Sequence, residues 1–199
     1  MIVFYDFETT GFVEKGLPID HERQPHIVQA AAIVIEDDGS KVASFDLIVR
    51  PDGWVIPDRA AAVHGISTER AARLGVPEGS VFRLLRFFMR TAGIRVAHNE
   101  AFDWSIMEIA SHRYDHAALA QELNGPGRFR FCTMEETRNI CRIPPTDRMV
   151  AAGITEFKSP RLEEAYRHLF GEPLDGAHDA MVDVSACKRI YEHLAMGQP

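Results

Sequence analysis

The chain opens on Ile2-Val3-Phe4-Tyr5, an unbroken apolar run, and only then turns to Asp6-Phe7-Glu8. A run of this kind suits a central strand covered on both faces, so the fold must supply a packing layer on each side of it. Two further stretches, Ile27–Ile35 and Val42–Val49, are rich in Val, Ile and Ala and flank Asp37-Asp38-Gly39, a hairpin turn signal. They predict antiparallel strands two and three, with strand one ending near Glu8. The connection from Gly11 to His26 is long and polar and holds Pro18 and Pro25, which predicts an exposed loop near the site.

Beyond Pro57 the pattern becomes helical. Ser67 is a suitable N-cap for a short helix and Ser80 for a longer one reaching about Arg90. A fourth strand is expected at Ile94–Ala97 and a helix from about Asn99 to His112. A second helical piece follows from about His116 to Leu123, broken by Asn124-Gly125-Pro126-Gly127. Phe129–Cys132 reads as a fifth strand. Helices recur at Thr133–Ile140, Arg161–Phe170 and Asp179–Ala195, around an irregular Pro144–Pro160 segment. No internal repeat is present. The order argues an α/β fold, a mixed sheet whose first three strands are antiparallel, flanked by helices.

A length of 199 residues with 46% hydrophobic content predicts one domain over 1–199. The first residues already read as a strand, so no cleavable leader is expected, and no apolar run approaches the roughly 18 residues that span a bilayer. Cys132, Cys141 and Cys187 are an odd count without a C-x-x-C pair, against a disulfide framework or structural zinc. A soluble, cytoplasmic protein with no membrane partner fits best. The net charge of −7 counts against a nucleic-acid partner unless divalent cations neutralise the phosphate. Arg128, Arg130, Arg138, Arg142, Arg148, Lys158 and Arg161 offer local compensation, either as a solvated surface or as a phosphate track.

Three signals carry chemistry. Asp6 and Glu8, two apart on a strand, point to one face, and two like charges that close call for a cation with oxygen ligands. Alone, D-x-E is better explained by a turn or surface; the apolar run before it and Thr9-Thr10-Gly11 after it make a strand end opening into a loop, which moves the reading toward function. Asp103, in His98-Asn99-Glu100-Ala101-Phe102-Asp103, shares a helix face with Ile106, Met107 and Ala110, which aims a carboxylate at the core. A buried hydrogen bond or a loop cap is the plainer alternative. Asp183, in His178-Asp179-Ala180-Met181-Val182-Asp183, likewise lies in line with Ala186, Cys187, Ile190 and Leu194, behind a glycine-containing loop that can bring His178 round. Asp179 is most economically an N-cap. Clustered carboxylates can clamp two divalent ions roughly 3.5 to 4 Å apart, activating a water and stabilising a leaving oxygen. A histidine beside them can take the proton of that water.

These motifs resemble the DEDD 3′-to-5′ exonucleases, in the histidine-bearing DEDDh subgroup that includes proofreading subunits, ribonuclease T and oligoribonuclease. The matching runs are Asp6 to Gly11, His98 to Asp103 and His178 to Asp183, in the family's order, with weaker similarity at Val63-His64-Gly65-Ile66-Ser67 and Cys132-Thr133-Met134. The resemblance covers Ile2 to about Tyr191. It implies a ribonuclease-H-like fold with a five-stranded mixed sheet, and two Mg²⁺ or Mn²⁺ ions held directly by Asp6, Glu8 and Asp183, with Asp103 partly through water. It makes His178 the general base and gives Thr9, Thr10, His64 and Asn99 contacts to the terminal nucleotide. The implied reaction releases nucleoside 5′-monophosphates from single-stranded 3′ ends of DNA or RNA, alone or beside a polymerase or a second copy. The chain departs from the pattern in its longer Gly11–His26 loop, in Gln29 where an acidic residue often follows Ile-Val, and in Pro144–Pro160.

Three competing readings differ in what they require. An inactive docking module predicts a substituted catalytic position, and none of the five is substituted. An HD-type phosphohydrolase, suggested by His178-Asp179, needs further metal-binding histidines on an all-helical scaffold. A purely structural domain leaves two inward carboxylates without partners, at a cost of several kcal/mol each unless neutralised. Phe12, Phe129 and Phe131 suit either base stacking or core packing.

Overall fold

The computed structural model describes residues 1–115, 119, 123, 127–195 and 197. Strand β1 (Ile2–Thr9) sits inside the sheet, antiparallel to β2 (Ile27–Ile35) and parallel to β5 (Ile94–Ala97). Strand β3 (Lys41–Arg50) pairs antiparallel with β2, and β6 (Phe129–Cys132) pairs parallel with β5. A two-residue strand, β4 (Val76–Pro77), runs parallel to the end of β3 and closes the order β4-β3-β2-β1-β5-β6. The sheet therefore has six strands where the sequence predicts five. Two residues carry no periodicity to read; the pairing arises because Gly75 brings the backbone against β3, where a Cβ would stand 2.4 Å from the Arg50 nitrogen.

Eight helices are present among the described residues: α1 (Asp58–His64), α2 (Thr68–Leu74), α3 (Glu78–Thr91), α4 (Glu100–Asp115), α5 (Thr133–Cys141), α6 (Asp147–Ala151), α7 (Leu162–Phe170) and α8 (Ala180–Ala195). Ser67 caps α2 as expected, its hydroxyl accepting from the Arg70 N–H at 3.2 Å. Ser80 does not cap α3, which begins at Glu78 behind Pro77. Tertiary bonds to the Glu78 side chain set that start. The expected helical piece at His116–Leu123 and the Asn124–Gly127 turn lie mostly outside the described residues, though Leu119 and Leu123 are buried. Pro144–Pro160 is not wholly irregular, since Thr146 caps the short α6.

The alternation along β1 divides the core. Val3, Tyr5 and Phe7 face one layer with Phe82 and Leu85 of α3 and Ile106, Met107 and Ala110 of α4. Phe4 faces the other with Ala31 of β2 and Val184, Ala186, Cys187 and Ile190 of α8. Asp6 and Glu8 continue the Phe4 face to its end.

Two buried polar groups organise the loop that follows. The Gln24 side chain, 3% exposed, accepts from the Glu14 N–H and donates to the carbonyls of Glu14, Leu17 and Pro18. The loop is thus built around a buried amide and is not merely an exposed excursion. Glu78 closes its base: the carboxylate accepts from the Ile27 N–H at 2.8 Å, from Tyr114 Oη at 2.6 Å and from Arg113, and meets His26 Nδ1 at 2.8 Å. Burial pushes this carboxyl up, but His26, Arg113 and Tyr114 together hold it below the usual range. Arg113 also donates to the Gln24 and Pro25 carbonyls. All three cysteines are buried and unpaired, and no helix among the described residues is long and apolar enough to cross a membrane.

Candidate active site

Strand β1 delivers the first two carboxylates. In register with β2, Asp6 stands opposite Ala31 and Glu8 opposite Gln29, so both project on the face covered by α8. Past Glu8 the register shifts, and the chain leaves the sheet at Thr9-Thr10-Gly11.

Helix α4 brings the third from the opposite layer. Asp103 is 2% exposed, and its Oδ1 accepts from the Phe7 N–H at 3.2 Å, so the carboxylate is held against the β1 backbone between Asp6 and Glu8. The turn that aims α4 this way passes through Asn99 at φ 67°, a left-handed conformation that asparagine tolerates better than most side chains. His98, just before it, bridges Thr133 Oγ1 at 2.9 Å and the Pro160 carbonyl at 3.1 Å, and burial lowers its pKa to about 4.

The fourth carboxylate and the histidine come from the start of α8. Asp179 caps the helix, its Oδ1 accepting from the Met181 and Val182 N–H groups. His178 lies at φ 69°, which turns its N–H back to donate to Asp183 Oδ2 at 3.2 Å. The two residues the sequence separates by five are thereby joined, with Asp183 buried and the His178 side chain exposed. One ligand atom from each of Glu8, His178 and Asp183 lies within 4.8 Å of the others.

Charge makes this cluster unstable on its own. Burial first, then the charges of Asp103, Asp183, Glu8 and Asp179, push Asp6 well above the usual carboxyl range. Burial likewise raises Asp103, with the Phe7 N–H opposing it. Burial, then Asp183 and Asp179, raises Glu8 to about 8, and burial raises Asp183 to about 6. The inner oxygen of Asp183, Oδ1, is buried with no hydrogen-bond partner. An acceptor-only oxygen in that position, beside other carboxylates, fits a hard divalent cation.

A pocket of about 370 Å³ opens beside these groups, lined by residues 7 to 12 of the β1 exit, by Arg59, Ala60, Val63 and His64 of α1, and by Phe102 and His178. Thr9, Thr10 and His64 therefore share one cavity with Glu8 and His178. His64 Nδ1 accepts from the Ile66 N–H at 3.2 Å, which leaves its proton on Nε2, and burial, then His178, lowers its pKa. Asn99 is exposed at the start of α4 and does not line that pocket.

The RNase_T exonuclease family model matches residues 3–191. The chain belongs to this exonuclease family. No curated protein matches it. Its fold is similar to the zinc ion-bound form of the E. coli ExoI–ssDNA complex, with a TM-score of 0.74 at 20% identity, covering 100% of this chain and 41% of that one. E. coli Exonuclease I in complex with a dT13 oligonucleotide gives a TM-score of 0.72 at 20% identity over the same shares. The moderately thermophilic Exonuclease I from Methylocaldum szegediense gives 0.73 at 21%, again over 100% of this chain and 41% of that one. The chain thus spans about two-fifths of the chains it resembles, and at these identities the likeness is one of fold.

Several residues that shape the site have roles the sequence did not reveal. Gln29 is the clearest. Its Nε2 donates to Asp46 Oδ1 at 2.7 Å and its Oε1 accepts from the buried Ala180 N–H at 3.3 Å, which ties the start of α8 to the strand opposite Glu8. An ionised Asp46 only accepts and an N–H only donates, so an amide fits between them where an acidic residue would not. Glu100, fully buried, accepts from Arg95 Nε at 2.9 Å and from Tyr5 Oη at 3.3 Å beneath Asp103. The basic stretch is largely engaged: Arg128 donates to the Met89 and Arg90 carbonyls, Arg130 pairs with Glu100, Lys158 with Glu164 and Arg161 with Glu163. Phe131 packs on Tyr191, whereas Phe12 and Phe129 are exposed.

The raised carboxyls predict how stability depends on pH. A group that binds its proton more tightly when folded contributes most below its unfolded pKa, and that contribution is lost as pH climbs to the folded one. For Glu8 and Asp183 the window runs from the ordinary 4.5 and 3.8 up to about 8 and about 6. Glu78 acts in the opposite sense, but only as pH falls through the carboxylate range. His98 and His64, whose pKa values burial lowers, oppose the loss up to about pH 6.5 and no longer above it, where Glu8 still titrates. Without metal, the melting temperature is expected to drop by roughly 4 °C or more between about pH 5 and about pH 8. Millimolar Mg²⁺ should flatten the difference. Thermal melts in EDTA and in Mg²⁺ check this; a metal-free melting temperature that rises over the interval contradicts it.

Proposed function

We propose that residues 1–199 form one exonuclease domain that hydrolyses phosphodiester bonds from the 3′ end of single-stranded nucleic acid and releases nucleoside 5′-monophosphates. The observation that carries this reading is the convergence of Asp6, Glu8, Asp103 and Asp183 at one sheet end, with an unpartnered buried oxygen on Asp183 and a pocket alongside. Family membership supports the reaction type. The oligonucleotide-bound E. coli relatives favour single-stranded DNA as the first substrate to try.

Asp6, Glu8 and Asp183 would hold Mg²⁺ or Mn²⁺ directly, two ions per site, and Asp103 would hold the second partly through water. Bound there, the ions supply positive charge to the scissile phosphate and to the attacking and leaving oxygens. The remaining steps belong to the chain. His178, exposed at the pocket and fixed through its backbone to Asp183, takes the proton of the attacking water. Thr9 and Thr10 form the floor for the terminal nucleotide, and their own bonds hold that floor: Thr9 Oγ1 donates to the Gly11 carbonyl at 2.8 Å and Thr10 Oγ1 accepts from the His26 N–H at 3.0 Å. His64 offers a neutral ring at the α1 wall. Asn99, exposed at the start of α4 outside this pocket, would approach the terminal nucleotide from that side. Phe12, 88% exposed and edge-on to Phe102 at 6.3 Å, is available to a base face.

The test is a gel assay on matched 5′-labelled DNA and RNA single strands with Mg²⁺ or Mn²⁺ and an EDTA control. A metal-dependent ladder shortening from the 3′ end is expected. Intact strands of both kinds would overturn the reading.

A further inference from the structure

Among the described residues, the pocket beside the carboxylates is lined by one Lys or Arg side chain, Arg59 at the start of α1. It is exposed, and it makes no ion pair or hydrogen bond among the described residues. Its Nη2 lies 3.6 Å from the position a Cβ on Gly11 would occupy, so the guanidinium stands over the β1 exit. The same pocket has apolar walls from Phe12, Ala60, Val63 and Phe102, a lining suited to a flat heterocycle. A free fork of donors at the rim of an apolar slot is a base-reading arrangement more than a phosphate-gripping one.

We infer that Arg59 reads the base of the 3′-terminal nucleotide and biases release toward guanine; this rests on the exonuclease reading above. The guanidinium has five donors and no acceptor, so it favours base edges that present acceptors side by side. Guanine offers O6 and N7 at the spacing of that fork, thymine and uracil offer a single carbonyl on the equivalent side, and adenine places an N6 amino donor next to N7.

The experiment measures kcat/KM for release of the first nucleotide from single strands that differ only in the 3′-terminal base, for the unaltered protein, Arg59→Ala and Arg59→Lys. The unaltered protein should favour terminal dG over dA by about tenfold, with dT between. In Arg59→Ala the ratio should collapse to within about twofold, with the largest loss on dG and the smallest on dA. Arg59→Lys keeps the charge but not the fork, so it too should lose the ratio while staying closer to the unaltered KM. Circular dichroism melts of both variants establish that they are folded. An unchanged dG to dA ratio in folded Arg59→Ala, or an equal loss on all four bases, would overturn the inference; the second result assigns Arg59 to phosphate. Absence of cleavage of any strand by the unaltered protein would count against the exonuclease reading instead.

Discussion

Asp183→Asn should reduce kcat/KM by at least about 10³-fold, a larger loss than removal of one oriented hydrogen-bond donor from an active site. Asparagine keeps the shape of the side chain and an oxygen that can accept from the His178 N–H, so the loop before α8 keeps its path. What disappears is the charge on a buried oxygen that no protein group satisfies. The stability of the variant carries the distinguishing signature. Removing one of several carboxylates that repel one another should leave the metal-free protein at least as heat-resistant as the parent, while Mg²⁺ should no longer raise its melting temperature. A variant that kept a tenth of the parent rate in Mg²⁺ would remove Asp183 from the metal site.

His178 should behave differently. Its loss is expected to cost about 10²- to 10⁴-fold in kcat, the range for a general base, with Mg²⁺ binding retained. The backbone matters to the choice of variant. His178 sits at φ 69°, where alanine is strained by roughly 1–2 kcal/mol and asparagine is tolerated better, so His178→Asn separates the loss of the imidazole from a shift of the loop. Calorimetric Mg²⁺ titration of His178→Asn beside Asp183→Asn tests the division of labour. If both lose the cation, His178 is a ligand, which its place within 4.8 Å of Glu8 and Asp183 permits. If His178→Asn keeps the parent rate, the proton goes elsewhere.

Much of this arrangement was legible because carboxylates stood out against apolar periodicity. Asp6 and Glu8 extend the buried face of β1, and Asp103 and Asp183 fall in line with Ile106, Met107, Ala186 and Cys187, all of which are buried. Ser67 and Asp179 declared helix starts through local chemistry. The residues that escaped notice act through tertiary bonds with no local pattern. Gln29 stands out only as a departure from the family pattern, with no role to read, until its amide is seen to reach Ala180, 151 positions away. Glu78 displaced the expected start of α3 because its carboxylate serves β2, α4 and the loop, a demand stronger than the cap Ser80 offered. The left-handed turns at Asn99 and His178 fall on residue types that tolerate that conformation without announcing it as a glycine would. The short β4 depends on contact, so only the folded chain reveals it.

The loop from Gly11 to His26 is tied at both ends, by the Thr10 and His26 backbone bonds at one level and by Glu78 and Arg113 below it. Between those ties the chain can change length at little entropic cost, since closing a longer loop adds only about 0.6 kcal/mol per doubling. The pocket floor at Thr9 and Thr10 would not feel such a change. Descendants of this sequence that keep the Gln24 amide and its bonds to Glu14, Leu17 and Pro18 are therefore free to vary the exposed positions around them, such as Lys15, Gly16, Glu22 and Arg23, and so to acquire new contacts along the incoming strand, without altering the chemistry at its end.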